Sequence, residues 1–322
     1  MGREEAQYFG REGIARTLLV GTMEGKSFLV SGGPFLGKTA LLQQVYRNLI
    51  DKGPAFDKFP PIPVYLSLRD RPNWTLTSLS DSLCRLVERT RPKGLGFDHL
   101  ILLLDDCEFF IDHPGQDLIK RLRGPLGLSY LCVPWSIVWA GNIEWYKKFL
   151  EEKSPIGEKV RLVPLAVFTE KEARSMLDGI IPSNRVSFSQ QQVFDLTGKH
   201  PFLLHSIIET LCQTGKSSLD MILEKCSPQW EAWCQRCFDH LRQDIEKNTL
   251  VGILYFLIEK GGPVNPSMVG KKFDLENPKP FLDKLCILGL LERTLLNGEA
   301  IVWAGCGFFN QWFLRVVTQT RK

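Results

Sequence analysis

The residue types best suited to chemistry lie together in one glycine-rich stretch. Residues 32–39 have the sequence Gly-Gly-Pro-Phe-Leu-Gly-Lys-Thr and match the pattern G-x-x-x-x-G-K-[ST] in full. A short apolar run, 28–30, precedes the stretch, and apolar residues recur at helical spacing over 41–50. A strand, a glycine loop and a helix in this order are the context in which the pattern binds phosphate. The stretch therefore predicts a nucleoside triphosphate site rather than an incidental Gly/Pro turn.

Each residue type in this loop has a chemical role. Glycines adopt backbone angles that turn several N–H groups toward an anion, and the helix that begins near Gly37 adds the positive end of its dipole. Lys38 is expected to reach the β- and γ-phosphates as a catalytic cation, and the Thr39 hydroxyl to ligate Mg²⁺. The expected cofactors are ATP or ADP with Mg²⁺. The loop residues expected to bind the nucleotide are Gly32, Gly33, Pro34, Gly37, Lys38, Thr39 and Ala40.

A pair of acids forms the second candidate set. Asp105 and Asp106 directly follow the continuous apolar run 100–104, which is typical of a parallel strand buried on both faces. A carboxylate at the carboxyl end of such a strand is where an ATPase holds its metal. Asp105 is expected to hold the Mg²⁺ shell through water or Thr39, and Asp106 to polarise the attacking water. The alternative is that the two acids cap the strand and begin a turn.

Length and composition limit the class of protein. A chain of 322 residues is expected to contain two or three domains, and its 44% hydrophobic and 24% charged residues are ordinary for a soluble protein. The net charge of +4 is too small to indicate nucleic-acid binding by itself. No apolar run approaches the roughly 20 residues that span a bilayer, and the N-terminus does not look like a signal peptide. We therefore expect a cytoplasmic protein with no membrane partner.

The nine cysteines are scattered and mostly lie in apolar contexts, as expected of small buried side chains in a reducing compartment. One cluster could bind zinc, because Cys234 and Cys237 have C-x-x-C spacing. This pair lies within a helical pattern, and no second C-x-x-C follows it. A structural role is favoured, with a metal site as the open alternative. The full cluster comprises Cys226, Cys234, Cys237 and His240.

The order of apolar segments predicts an α/β fold. Strands alternating with helical patterns predict a parallel sheet with crossover helices. A strand-helix unit at 62–90, between the loop and the acidic pair, favours the ATPase branch that has an added central strand. The five expected strands are 28–30, 62–68, 100–104, 136–140 and 160–165.

The rest of the chain is predicted to be mainly helical. Thr169 and Glu172 have capping-box spacing and open an expected lid, which is broken near 182–184, 198–201 and 227–228. Beyond it, three helical patterns, an Asn297-Gly298 hairpin and a closing helix indicate a winged-helix domain. The predicted domains are an ATPase core at 1–168, a helical lid at 169–246 and a winged helix at 247–322.

The chain resembles the STAND-type ATPases of the AAA+ superfamily and the similar archaeal-type AAA ATPases. The resemblance implies a P-loop NTPase fold with a parallel five-stranded sheet, a helical lid and a winged-helix domain. The motifs that carry it are the hydrophobic-Gly-Arg-Glu stretch 8–12, the phosphate loop, Asp105-Asp106, Pro164-Leu165 with Glu172-Ala173, and the Thr-Gly-x-His-Pro stretch 197–201.

In this family, the Gly-Arg-Glu stretch and the lid proline lie near the adenine, and the residue beside the proline senses the phosphates. The resemblance therefore implies nucleotide-binding roles for Phe9, Arg11, His200 and Pro201. Many members sense the γ-phosphate with an arginine after the fourth strand. This chain has Asn142 there, which is expected to act as a polar sensor. Arg121 and Arg123 lie where relatives place an arginine that acts in trans, a pattern also typical of a solvated helix end.

The resemblance implies a slow ATPase that converts ATP to ADP and phosphate and acts as a molecular switch. STAND proteins usually carry effector and sensor modules, and none is recognised here, so we expect separately encoded partners and ATP-dependent homo-oligomers. The alternative is a DNA-binding AAA+ ATPase of the replication-initiator or transposition-regulator type. The expected third helix of the winged helix, 279–288, has two lysines, one acid and no Arg, Asn or Gln to contact base edges. This composition favours the switch.

Overall fold

The computed structural model divides the chain into two compact units. The first unit comprises Met1–Ser31 and Gly37–Pro164, and the second comprises Gly32–Leu36 and Leu165–Lys322. Phe9, Arg121, Arg123, the expected helix 75–90 and the expected break at 182–184 lie outside the described residues. The structure describes residues 10–52, 61–69, 99–110, 135–142, 160–178, 188–214, 218–242, 244, 246–296 and 298–320.

The first unit is built on a parallel sheet of five strands in the order β2-β3-β4-β1-β5. This confirms the predicted α/β fold. The strand that lies between β1 and β3 in the middle of the sheet is β4. The strand at 62–67, which precedes the acidic pair in the chain, is β2 and forms an edge of the sheet. All six residues of β3 are buried, as expected from its apolar sequence. The strands are β1 Ser27–Ser31, β2 Ile62–Ser67, β3 Leu100–Asp105, β4 Trp135–Gly141 and β5 Val160–Pro164.

Two helices in the described part of the first unit pack on this sheet. α1, Glu12–Met23, contacts β1 and β4, and α2, Lys38–Lys52, contacts β2, β3 and β4. α2 buries Leu41, Leu42, Val45 and Leu49, the apolar positions that predicted it. Its first turn is therefore fixed next to the carboxyl end of β1.

Between residues 165 and 242, the described residues of the second unit form four helices. The capping box that was predicted from Thr169 and Glu172 is confirmed, because the Thr169 N–H donates to Glu172 Oε2 at 2.8 Å and the Glu172 N–H donates to Thr169 Oγ1 at 3.3 Å. The four helices are α3 Glu170–Asp178, α4 Gln190–Thr197, α5 Pro201–Thr214 and α6 Leu219–Arg242.

The predicted break at residues 227–228 is wrong. α6 continues through Pro228 as one helix of 24 residues. A proline inside a helix costs about 3 kcal/mol. The buried stripe of α6, which includes Trp230, Trp233, Cys234 and Cys237, offsets this cost, since each large buried side chain contributes about 1.5–3 kcal/mol.

Burial raises the pKa of both Cys234 and Cys237. Among the described residues, no group of three His, Cys, Asp or Glu side chains could hold a metal ion.

The C-terminal segment, residues 247–320, has the predicted order of three helices, a hairpin and a closing helix. The two strands of the hairpin pair antiparallel, and four aromatic pairs join α6 to the closing helix, with ring centroids 5.0–5.9 Å apart. The elements are α7 Lys247–Lys260, α8 Pro266–Phe273, α9 Lys279–Ile287, β6 Glu292–Leu296, β7 Glu299–Trp303 and α10 Gly307–Thr320.

Two largely buried ion pairs also connect parts of the second unit. Lys199, in the loop before α5, pairs with Glu292 at the start of β6. Lys284 of α9 pairs with Asp244, which lies between α6 and α7.

Among the described helices, none has both the length and the apolar surface needed to cross a bilayer.

A pair of glycine variants tests the packing of the second unit. Gly198 and Gly261 both end helices with φ values of +57° and +65°. A Cβ at Gly198 would lie 2.8 Å from the Cys306 backbone, whereas a Cβ at Gly261 meets nothing within 4 Å. Gly261→Ala should therefore lower the free energy of unfolding by about 1–2 kcal/mol, because alanine is disfavoured in the left-handed conformation. Gly198→Ala should lower it by about 1–3 kcal/mol more, because its side chain would also overpack against Cys306. Urea unfolding measures both losses, and equal losses would contradict the contact with Cys306.

Candidate nucleotide-binding site

β1 leads through the glycine loop into α2. Gly37 has φ +86°, which L residues rarely adopt, and no atom lies within 4 Å of the position of a Cβ. Lys38, Thr39 and Ala40 begin α2. The first N–H groups of a helix have no partner within the helix, and together with the helix dipole they attract anions. The local structure of the predicted loop therefore suits phosphate.

Lys38 lies within the electrostatic influence of three acidic side chains near the end of β3. Burial lowers the pKa of the Lys38 ammonium, whereas the charges of Glu108, Asp105 and Asp106 raise it. The carboxylates thus favour the charged form of the lysine, which is the form that binds phosphate.

Asp105 accepts hydrogen bonds from α2, from β2 and from its own neighbour. The donors are the Thr39 hydroxyl, the Tyr65 hydroxyl at 2.9 Å and the Asp106 backbone N–H at 2.9 Å. Burial raises the pKa of Asp105, and the Thr39 hydrogen bond lowers it. The two residues predicted as Mg²⁺ ligands, Thr39 and Asp105, therefore lie together.

Asp106, predicted to polarise water, is held by the edge strand. It has φ +56°, and its Oδ2 accepts a hydrogen bond from Ser67 Oγ at 3.0 Å while its Oδ1 pairs with Arg69 at 2.9 Å. Asn142 directly follows β4, which lies between β1 and β3. It therefore lies at the expected edge of the sheet, and its role as a sensor stays a prediction.

Sequence reasoning missed the contribution of β2. Tyr65, Ser67 and Arg69 were included in or next to a predicted strand, but no role was assigned to them. The parallel register pairs Ser67 with Asp105, which brings these three polar side chains to the acidic pair. Polar residues at the carboxyl end of a predicted parallel strand were the available signal.

Glu108 was also missed. It lies in the 3-10 turn Cys107–Phe110, directly after Asp106. Its Oε2 is buried and has no hydrogen-bond partner within the described part of the chain. Burial raises the pKa of Glu108, and the charge of Lys38 lowers it.

The first half of the phosphate loop packs within the second unit. The Gly33 N–H donates to the Ile287 carbonyl at the end of α9, at 2.7 Å. A Cβ at Gly33 would lie 2.8 Å from the Leu288 Cα. The loop glycine therefore permits close approach of the C-terminal segment.

Phe35 is the exposed side chain of this half-loop. Its φ is +61°, and its ring lies 4.8 Å from that of Phe202. The Arg236 guanidinium of α6 lies 5.2 Å from the centre of the Phe35 ring, a cation–π distance. Contacts to both α5 and α6 thus stabilise Phe35 in a backbone conformation that non-glycine residues rarely adopt.

The predicted lid residues lie beside the same half-loop. His200 is fully buried, its ring lies 4.6 Å from that of Trp233, and Pro201 begins α5. A Cβ at Gly289 would lie 3.1 Å from both the His200 ring and the Leu36 side chain, so His200 is a near neighbour of the phosphate loop. In the first unit, Arg11 is 4% exposed just before α1. The adenine roles of these residues stay predictions.

These residues fit Mg²⁺ and a polyphosphate. The space around Gly37 admits an anion, and Lys38 supplies the positive charge. Thr39 and Asp105 offer the oxygen ligands that Mg²⁺ prefers. The buried, unpaired Glu108 Oε2 is a polar atom whose hydrogen-bonding capacity is unused within the described chain.

The sequence matches no protein-family model and no curated protein. Solved structures do show the same fold. A Walker-type ATPase of Pyrococcus abyssi has a TM-score of 0.60 and 14% identity, with 97% of each chain covered. The ORC1 protein of Aeropyrum pernix, in complex with DNA, has a TM-score of 0.50 and 18% identity, over 98% of this chain and 94% of that chain. The ORC2 protein of the same organism, in its ADP form, has a TM-score of 0.50 and 13% identity, over 98% and 97%. The chain therefore shares with these archaeal proteins a fold in which helices pack on a five-stranded parallel sheet.

Proposed function

We propose that this protein binds ATP with Mg²⁺ and hydrolyses it slowly to ADP and phosphate. The observation that carries this proposal is the hydrogen bond from the Thr39 hydroxyl to Asp105. It joins the start of the loop helix to the buried strand whose end carries the acids. Lys38 lies within electrostatic reach of the same acids, so phosphate-binding and metal-binding groups occur side by side.

Each residue of this group has a distinct task. Thr39 and Asp105 hold Mg²⁺, and Lys38 with the first N–H groups of α2 binds the β- and γ-phosphates. When bound, Mg²⁺ would neutralise the negative charge on the phosphoryl oxygens. Tyr65 fixes the Asp105 carboxylate through a hydrogen bond of 2.9 Å, which preserves the orientation of a metal ligand. Asn142 lies at the sheet edge where a polar sensor of the γ-phosphate would act.

Replacing Lys38 tests nucleotide binding. Lys38→Ala removes a charged hydrogen-bond donor, an effect of about 1.5–3 kcal/mol, so ATP affinity should fall about 10- to 100-fold. Arg47→Ala is the matched control, because Arg47 is an exposed cation on the same helix. Titration calorimetry should show near-normal affinity for the control. Equal affinities for wild type and Lys38→Ala would contradict the site.

Two outputs of the ATPase remain candidates: a switch that acts on separate proteins, and DNA binding. The likeness to ORC1, which was solved with DNA, favours DNA binding. In this proposal the C-terminal segment is a winged helix that contacts the duplex. Its third helix, α9, offers few cations, because Lys284 is buried against Asp244 and Arg293 of β6 pairs with Asp283. The exposed pair Lys271 and Lys272 at the end of α8 is the better candidate for contacting phosphates.

A salt titration distinguishes the two outputs. Two phosphate contacts predict a shallow slope of about −2 for log affinity against log salt. Lys271→Glu/Lys272→Glu should abolish this binding. Lys171→Glu/Lys225→Glu, an equal charge change at exposed positions of α3 and α6, should largely retain it. Fluorescence anisotropy with a DNA duplex, with and without ATP, gives both affinities. No binding at low salt, combined with ATP-dependent assembly in sedimentation, would exclude the DNA output and support the switch.

A further inference from the structure

Three carboxylates lie at the end of β3 in the described part of the first unit, and they differ in what already binds them. Asp105 accepts hydrogen bonds at both oxygens, from the Tyr65 hydroxyl and the Asp106 N–H among others. Asp106 is also bound at both oxygens, by Ser67 at the end of β2 and by Arg69, two residues further along the chain. Glu108 Oε2 is buried without a hydrogen-bond partner among the described residues.

An unpaired buried carboxylate oxygen needs an explanation. Leaving a buried polar group unsatisfied costs about 1–3 kcal/mol, and more when the group is charged. Such groups are kept where function needs them. Glu108 lies in the turn that directly follows the β3 acids, and it interacts electrostatically with Lys38. The unused oxygen therefore belongs to the same neighbourhood as the phosphate-binding lysine.

We propose that Glu108, rather than Asp106, accepts the proton of the water that attacks the γ-phosphorus. Asp106 is then a positioning residue, which ties β2 to the end of β3 through Ser67 and Arg69. This inference rests on the proposed function, since it assigns a role within the hydrolysis of ATP.

Water is the only reactant besides ATP that the proposed step requires. The water oxygen forms a bond to the γ-phosphorus, and the bond from this phosphorus to the β–γ bridging oxygen breaks. ADP leaves with the electron pair of that bond. Glu108 Oε2 takes one proton from the attacking water and later returns it to solvent.

The geometry separates the roles of the two acids. Each oxygen of Asp106 already accepts a hydrogen bond, and its charge is paired with Arg69, so protonating this residue would weaken that ion pair. Its backbone is also held in the left-handed region, with φ +56°. Glu108 Oε2 accepts no hydrogen bond from the described residues, and its side chain has one more methylene of reach. An acceptor with an open lone pair is better placed to orient water.

The test compares Glu108→Gln and Asp106→Asn with an exposed control, Glu209→Gln on α5. ATP affinity is measured by calorimetry, and single-turnover hydrolysis by chromatography of quenched samples. Glu108→Gln should bind ATP within about threefold of wild type and lose at least about 100-fold in hydrolysis. Its bound nucleotide should remain ATP after the wild type has formed ADP. Asp106→Asn should hydrolyse faster than Glu108→Gln, and Glu209→Gln should match wild type.

A stability measurement without nucleotide provides a second readout. The raised pKa of Glu108 means that the folded state holds this proton more tightly than the unfolded state, so its ionisation destabilises the fold as pH rises above the ordinary value of 4.5. Glu108→Gln should therefore unfold at higher urea than wild type at neutral pH, with a difference that vanishes below pH 4.5.

The possible outcomes separate this inference from the proposed function. If the wild type does not bind ATP, the proposed function fails, and the role of Glu108 fails with it. If the wild type hydrolyses ATP and Glu108→Gln does so equally well, while Asp106→Asn retains ATP, only the inference about Glu108 is overturned. An unchanged urea midpoint for Glu108→Gln at neutral pH would also contradict the burial of this carboxylate.

Discussion

The hydrogen bond between the Thr39 hydroxyl and Asp105 is the interaction on which the site depends. Thr39 is fixed because α2 begins directly after the glycine loop, and Asp105 because β3 is buried along its whole length. The strand order sets their separation, since β4 lies between β1 and β3. Thus the sheet topology, more than any local contact, determines that the helix after the glycine loop and the acid at the end of β3 meet.

The features that the sequence predicted well are continuous in the chain. The strand-loop-helix order around Gly37, the apolar β3 and the capping box at Thr169 each depend on a few neighbouring residues, so their local chemistry is visible in the sequence. The order of elements in the C-terminal segment was predictable for the same reason. Its turn signals, such as Gly261 after α7, lie at the helix ends where the structure has them.

The features that were missed depend on distant packing. Ser67 has a role only because the register pairs it with Asp105, and no local pattern gives that register. Pro228 is a helix breaker by propensity, but the buried tryptophans of α6 outweigh it. Glu108 is visible three residues after Asp105, yet its importance lies in an oxygen that is buried without a partner in the described chain. Burial of this kind is a property of the fold and cannot be deduced from spacing.

The most direct test of the account is the Mg²⁺ dependence of ATP binding in wild type and Thr39→Val. The substitution preserves the shape of the side chain and removes the hydroxyl that bonds Asp105. Calorimetric titration with ATP is performed in Mg²⁺ and again with the metal chelated. Mg²⁺ should tighten ATP binding to the wild type, and Thr39→Val should lose most of this gain, whereas the two proteins should bind ATP with similar affinity when the metal is chelated. A gain from Mg²⁺ that is equal in both proteins would contradict the assignment of Thr39 and Asp105 as the metal site.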